Sequence, residues 1–135
     1  MVDNIRLIPE TAPPSPFPNN DDARKTPGPI YDLDVLREVV SGDIIFPVTR
    51  KVWSNLESLE WDAYDVALAI KSMQQTDYKG SEWCQALNGM KFDADVYVVP
   101  YDHINECRDP RNVRYYIKFG FYRNKLNLAL ISCHI

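Results

Sequence analysis

Cysteine, histidine and long apolar runs are scarce in this sequence. It has three cysteines among 135 residues and no CxxC pair, which argues against a disulfide framework and against a zinc site. No apolar run approaches the roughly 20 residues that span a bilayer, and the first residues lack the basic, apolar and small-residue order of a signal peptide. These absences predict a cytoplasmic protein with no membrane segment, metal or other cofactor.

Proline is concentrated near the N-terminus. Seven of the ten prolines fall in residues 1–29. Because proline lacks an N–H group and interrupts helices, this segment is predicted to be a disordered or extended arm. Residues 30–135 are enough for one compact core and too few for two ordinary domains. The arm is either a plain tether or a docking segment for a partner, and the sequence leaves both open.

The balance of charge changes along the chain. The net charge of −4 is unfavourable for binding a polyanion, because lysine and arginine supply most of the affinity for phosphates. Residues 1–65 carry 12 acidic and 6 basic side chains, whereas residues 108–135 carry Asp109 alone against six basic side chains. The C-terminal part is therefore locally cationic, and such a patch can bind RNA on an acidic protein.

Helical spacing comes first in the sequence and strand patterns come later. Three segments have the apolar spacing of helices: 33–40, 49–59 and 62–74. Thr49 and Asp62 are the predicted N-caps, and Trp53 is placed on the buried face of the second helix. Three segments have strand patterns: 96–99, which Pro100 ends, 113–121 and 126–131. This order predicts an α+β fold in which N-terminal helices pack on a C-terminal antiparallel sheet.

Side chains alternate between two faces along the predicted strand 113–121. Tyr115 lies on the apolar face, whereas Arg114, Tyr116 and Lys118 share the other face with Gly120. A cationic face with a glycine lets a ligand come close to the backbone. An ordinary solvated sheet face has the same composition, and the alternation alone does not separate the two.

A polar segment after the third helix holds another tyrosine and lysine, Tyr78 and Lys79, in a predicted loop. Cations and hydroxyl groups are what a metal-free phosphodiester-cleaving site requires. Together with two later motifs, Asp95-Val96-Tyr97 and Tyr116-Ile117-Lys118, this segment resembles the MqsR family of type II toxins. The resemblance covers the chain from about residue 31 to the C-terminus.

MqsR-like toxins are ribosome-independent mRNA interferases with a RelE-like fold, so the resemblance implies a metal-independent endoribonuclease. In such an enzyme the ribose 2′-hydroxyl attacks its own phosphate and leaves a cyclic phosphate and a free 5′-hydroxyl. The resemblance implies that Lys79 is catalytic, that Tyr116 assists proton transfer or phosphate positioning, and that Tyr78 belongs to the same catalytic set. Because an unperturbed lysine pKa of about 10.4 makes a poor base at neutral pH, the expected role of Lys79 is electrostatic. A cognate antitoxin is implied as the protein partner, besides the mRNA substrate.

A second set of residues is expected to hold the RNA: Arg50, Arg114, Lys118, Arg123, Tyr97 and Trp83. Arg50 falls on an arginine that the family keeps, but its place at a helix start also suits an ion pair with Glu57. Arg123 stands where the family has a histidine, so a cation is preserved. Trp83 is expected either to stack on a base or to anchor its loop.

Three departures from the family pattern bear on activity. Ala94 stands where the family has a glutamine, Val98 replaces an arginine, and residues 103–112 form an insertion. These departures keep a second interpretation open, in which the chain is a non-catalytic member of the same fold that binds RNA or a protein.

Overall fold

The structure, a computed structural model, describes residues 13, 15–85, 89–122 and 126–135. Within these ranges four helices are present: α1 (Asp21–Arg24), α2 (Leu33–Val39), α3 (Arg50–Leu59) and α4 (Ala63–Lys71). The strands of the same ranges are β1 (Lys25–Thr26), β2 (Ile45–Pro47), β3 (Tyr78–Gln85), β4 (Lys91–Asp102), β5 (Cys107–Arg108), β6 (Arg114–Phe121) and β7 (Leu128–His134). The predicted α+β class is confirmed. None of these helices is long and apolar enough to cross a bilayer.

Local capping fixes where the two longest helices begin. The Thr49 hydroxyl accepts a hydrogen bond from the Val52 amide at 3.1 Å, at the start of α3. At the start of α4, Asp62 and Asp65 each accept from the other's backbone amide, at 3.0 and 2.8 Å. This reciprocal arrangement is a capping box, and it satisfies amides that the helix itself leaves unpaired. Both predicted N-caps are therefore confirmed.

The predicted burial of Trp53 is wrong. Val52 and Leu56 of α3 are buried, but Trp53 is 57% exposed. Each helical residue is rotated by about 100° from the one before it, which carries Trp53 beyond the edge of the apolar stripe. The buried apolar face of α3 therefore does not include the Trp53 side chain.

The strands form one sheet in the order β1-β3-β4-β6-β7-β2, and β5 pairs with β4 off this path. The pairs are antiparallel except for β2 and β7, which are parallel. The four longest strands, β3, β4, β6 and β7, are therefore an antiparallel meander, and the two short strands from the N-terminal part of the chain lie at its edges.

Two of the strand predictions are wrong. Residues 78–85 form β3 rather than a loop, because they pair with the long, largely buried strand β4. The glycine and serine of this segment interrupt any apolar alternation by which the sequence would predict a strand. Strand β4 also continues through Pro100 instead of ending there. Pro100 pairs with Arg114 of β6, and its carbonyl accepts from the Asp109 amide at 3.2 Å.

The two faces of the sheet differ in character. One face, called the inner face, shares a single buried apolar cluster with helices α2, α3 and α4. Tyr115, Ile117 and Phe119 of β6 lie in that cluster, as their alternation predicts. The opposite face, called the outer face, carries the remaining residues of each strand, since directly paired residues point the same way. Its polar part includes Glu82, Tyr116, Lys118 and His134.

Part of the predicted arm belongs to the sheet. Lys25 pairs with Glu82 and Thr26 pairs with Ser81, so β1 extends the sheet beyond β3. Residues 1–12 and 14 of the arm lie outside the described residues. A two-residue strand has no apolar alternation by which the sequence would predict it.

Candidate functional site

The outer face contains a cleft of about 280 Å³ between β1, β3, β4 and β6. Its lining combines two lysines, a tyrosine and a carboxylate with small or apolar floor residues: Lys25, Lys79, Gly80, Ser81, Glu82, Val96 and Tyr116. The cleft thereby brings together Lys79 and Tyr116, two of the three residues predicted to be catalytic, from strands that are separated by β4.

A β-bulge places Lys79 in the cleft. Tyr78 pairs with Tyr97 and Gly80 pairs with Val96, so two steps along β3 correspond to one step along β4. Lys79 is the extra residue, and its side chain is exposed. A bulge interrupts the alternation of a strand and redirects one side chain, a device that is common beside functional sites.

Gly80 keeps the floor of the cleft open. Its φ angle is 157°, a conformation that glycine adopts readily, and a Cβ added there would meet no atom within 4 Å. The space above this residue therefore belongs to the cleft. A ligand can approach the backbone of β3 next to Lys79.

Tyr116 and His134 form a stacked pair on the outer face. They are directly paired residues of β6 and β7, their ring centroids lie 5.0 Å apart, and the rings are inclined by 13°. The His134 Nδ1 atom lies 3.0 Å from the carbonyl oxygen of Ile135. An imidazole is the side chain that most often moves protons near neutral pH, and this one is placed beside a residue of the cleft.

Lys118, predicted to bind RNA, is paired with a carboxylate. Its Nζ atom lies 2.8 Å from Oε2 of Glu82, and both side chains are largely buried. Burial lowers the pKa of Lys118, but the acidic groups of Cys84 and Glu82 raise it by more, so the net pKa lies above the usual lysine value. Lys118 is therefore a fixed cation that offsets Glu82 and adds little net positive charge to the cleft.

Tyr78, the third predicted catalytic residue, is held away from the cleft. The Ser81 hydroxyl donates to Oδ1 of Asp95 at 2.6 Å, so the Tyr78 hydroxyl, 2.6 Å from Ser81 Oγ, is the donor in their hydrogen bond. Asp95 is fully buried. Burial raises the pKa of Asp95, against the lowering effect of the hydrogen bonds that its carboxylate accepts. Of these three residues only Ser81 lines the cleft, and the Tyr78 hydroxyl is engaged with it rather than with the cleft space.

Tyr97 and Trp83, predicted to contact RNA, are both buried. Tyr97 is 0% exposed, its ring stacks on Phe119 with centroids 6.1 Å apart, and burial raises the pKa of its hydroxyl. Trp83 is 5% exposed and lies on β3 rather than in a loop. Neither ring presents a face to a ligand in this structure, and the burial of Trp83 suits its alternative role as an anchor of this segment.

The three arginines predicted to bind RNA have different positions. Arg114 is exposed on β6, two residues before Tyr116, and extends the polar part of the outer face. Arg50 is exposed at the first residue of α3, whose buried residues belong to the inner-face cluster, and it does not line the cleft. Arg123 lies outside the described residues.

Two of the three departures from the family pattern, Ala94 and Val98, lie on the outer face. Ala94 is fully buried and pairs with Glu82, so the polar side chain at this point of the sheet comes from β3. Val98 pairs with Tyr116. No sequence pattern indicates that Glu82 or Lys25 belongs to the site. Glu82 becomes recognisable only when residues 78–85 are known to be a strand, and Lys25 only when β1 is known to pair with β3.

An ion pair ties the insertion to the start of β3. Both guanidinium NH groups of Arg108 donate to the Asp77 carboxylate, and Arg108 Nη2 lies 2.9 Å from Asp77 Oδ1. Asp77 is only 5% exposed and also accepts from the Gln74 amide at 2.8 Å. The ion pair with Asp77 therefore engages Arg108 and fixes the segment just before Lys79.

Among the described residues, no three His, Cys, Asp or Glu side chains come close enough together to hold a metal ion. Compared with models of protein families, with curated proteins and with solved structures, the chain gives no match. The resemblance to MqsR-like toxins therefore rests on the short motifs, and function is inferred from them and from the geometry of the cleft.

Proposed function

We propose that this protein is a metal-independent endoribonuclease that cleaves RNA in the outer-face cleft. One observation carries the proposal: the bulge on β3 and the register of β6 bring Lys79 and Tyr116 into the same cleft, above the open backbone at Gly80. A cation beside a hydroxyl, on a surface that a phosphate can approach closely, suits a phosphodiester substrate.

In the proposed mechanism Lys79, Glu82 and Tyr116 have separate roles. The Lys79 ammonium lies against the phosphate and stabilises the extra negative charge of the phosphorane. Glu82 lines the cleft as a carboxylate held by Lys118, and it accepts the 2′-hydroxyl proton as the 2′-oxygen attacks phosphorus. The bond to the 5′-oxygen then breaks, and that oxygen takes a proton from the Tyr116 hydroxyl. The products are a 2′,3′-cyclic phosphate and a free 5′-hydroxyl.

The biological role that we propose is that of a toxin held inactive by a cognate antitoxin. This role, and a RelE-like arrangement of the fold, are supported by the motif resemblance. In the structure the helices pack on the inner face of the meander and leave polar residues on the outer face.

A cleavage assay in EDTA tests the proposal. Purified protein is incubated with a structured mRNA, and the ends of the products are identified. We expect discrete fragments with cyclic phosphate at one end and 5′-hydroxyl at the other. RNA that stays intact over hours at excess protein would contradict the proposed enzyme activity.

The second candidate is an RNA-binding protein that does not cleave. It is favoured by the Glu82–Lys118 ion pair, because a carboxylate paired with a cation is a weaker base, and by the small, fully buried Ala94, which stands where the resemblance implies a glutamine of the site. In the same assay this alternative predicts a shifted RNA band without fragments.

We expect Tyr116→Phe to reduce the cleavage rate constant about 100-fold, within the range typical of a lost general acid, while RNA affinity changes little. The substitution removes one hydroxyl and leaves the ring on which His134 stacks. Single-turnover cleavage and binding to an uncleavable 2′-O-methyl RNA separate the two effects. A loss of affinity with an unchanged rate constant would instead assign Tyr116 to phosphate positioning.

A further inference from the structure

The N-terminal arm contributes a side chain to the cleft. Lys25 of β1 is paired with Glu82, so it lies on the outer face, and it lines the cleft from the side of the sheet edge. Lys79 and Tyr116 line the same cleft from β3 and β6. The arm is therefore placed as one wall of the candidate site.

Buried hydrogen bonds fix the chain just after this wall. The Asp95 carboxylate accepts from the backbone amides of Ile30 and Tyr31, at 2.9 and 3.0 Å, and from the Ser81 hydroxyl. A buried carboxylate that accepts several hydrogen bonds is costly to separate from its donors. Asp95 thus clamps the end of the arm to β3 and β4.

Close packing continues toward Lys25. A Cβ atom added at Gly28 would overlap the Ser81 hydroxyl and the Tyr78 hydroxyl. Only glycine permits the arm to approach β3 so closely. Tyr78 and Ser81 therefore act as the surface on which the arm lies.

The segment before β1 also lies along the domain. The Arg24 guanidinium lies 4.8 Å from the centre of the Phe17 ring and donates from Nε to the Pro18 carbonyl at 2.6 Å. The Lys91 ammonium, at the start of β4, lies 5.9 Å from the same ring. These contacts hold β1 from its N-terminal side.

The Lys25 ammonium is available to a ligand. Its side chain is 66% exposed, and its ion pair with Asp22 is 3.5 Å long with an Asp22 side chain that is 93% exposed. Exposed pairs of this kind contribute little and exchange readily for a better partner. A phosphate in the cleft is such a partner.

We propose that Lys25 is a phosphate-binding residue and that the arm is a wall of the RNA site, clamped by Asp95 and Gly28. This inference rests on the proposed function, since it takes single-stranded RNA as the ligand. It assigns to the arm a binding role that neither a simple tether nor a partner-docking segment would have.

The test measures binding of the full chain to a fluorescent single-stranded 2′-O-methyl RNA, which cannot be cleaved, over a range of salt concentrations. We expect Lys25→Ala to weaken binding about 3- to 10-fold at low salt and to lower the log–log salt slope by about 0.7, the value for one phosphate contact on a single strand. Gly28→Val, which removes no charge, should weaken binding by a similar factor because it displaces the arm.

Lys51→Ala is the matched control, since it removes the same charge from an exposed position on α3. If Lys79→Ala weakens binding while Lys25→Ala and Gly28→Val behave like Lys51→Ala, the arm is not part of the site and the proposed function still stands. If the unmodified protein does not bind the RNA at all, the proposed function fails and the role of the arm fails with it.

Discussion

Replacement of Lys79 by alanine is expected to lower the rate of RNA cleavage by at least about 100-fold, the usual effect of removing one group that stabilises transition-state charge. Lys79 is the extra residue of the β3 bulge and its side chain is exposed in the cleft. Because surface substitutions usually change the free energy of unfolding by less than about 0.5 kcal/mol, the fold should be unaffected. Single-turnover cleavage and thermal unfolding together measure both quantities.

Lys51→Ala is again the control, and it should cleave at the rate of the unmodified protein. Lys79→Arg is a further test, because arginine keeps the positive charge but carries it on a planar guanidinium group instead of a compact ammonium group. Partial activity in Lys79→Arg supports an electrostatic role. Full activity in Lys79→Ala would remove the cleft from the mechanism, even if RNA is still cleaved.

The largest expected effect on stability comes from Arg108→Ala. The substitution leaves the Asp77 carboxylate, which is 5% exposed, without its cationic partner. Removing one member of a buried ion pair costs several kcal/mol, and because Arg108 is partly exposed we expect a loss of about 2–3 kcal/mol. For a chain of this size that corresponds to a melting temperature lower by roughly 7–10 °C.

Arg111→Ala provides the comparison for Arg108→Ala. Arg111 lies in the same insertion, but its side chain is 94% exposed and its pair with Asp109 is 3.9 Å long. We expect this variant to melt within about 2 °C of the unmodified protein. Equal melting temperatures for the two variants would show that the Arg108–Asp77 pair does not stabilise the fold.

The helices are predictable because their signals are local. The N-caps at Thr49 and Asp62 and the apolar spacing after them require no knowledge of the rest of the chain. Strand β3 has no such signal, since it is formed by pairing with β4. At Pro100 a local signal misleads. The general rule that proline ends a strand predicts that β4 stops there, but pairing with β6 keeps β4 extended through Pro100.

The motif resemblance predicts a common role for Lys79 and Tyr116, whereas residue type alone predicts no site. Lys79 and Tyr116 are found in one cleft, as their predicted common role requires. The aromatic rings of Tyr97 and Trp83 suit a core as well as a base, and only their burial separates the two uses. The place of Lys25 in the cleft depends on the pairing of β1 with β3, two strands that are far apart in sequence.

The edge positions of β1 and β2 have a consequence for the order of folding. Both strands pair with partners far along the chain, whereas β3, β4, β6 and β7 each pair with near neighbours in sequence. Since closing a longer loop costs more entropy, we expect the meander to assemble before its edges. The amides of β1 should then exchange with solvent faster than those of β4 and β6. The wall that carries Lys25 would be among the last parts of the cleft to form and among the first to open.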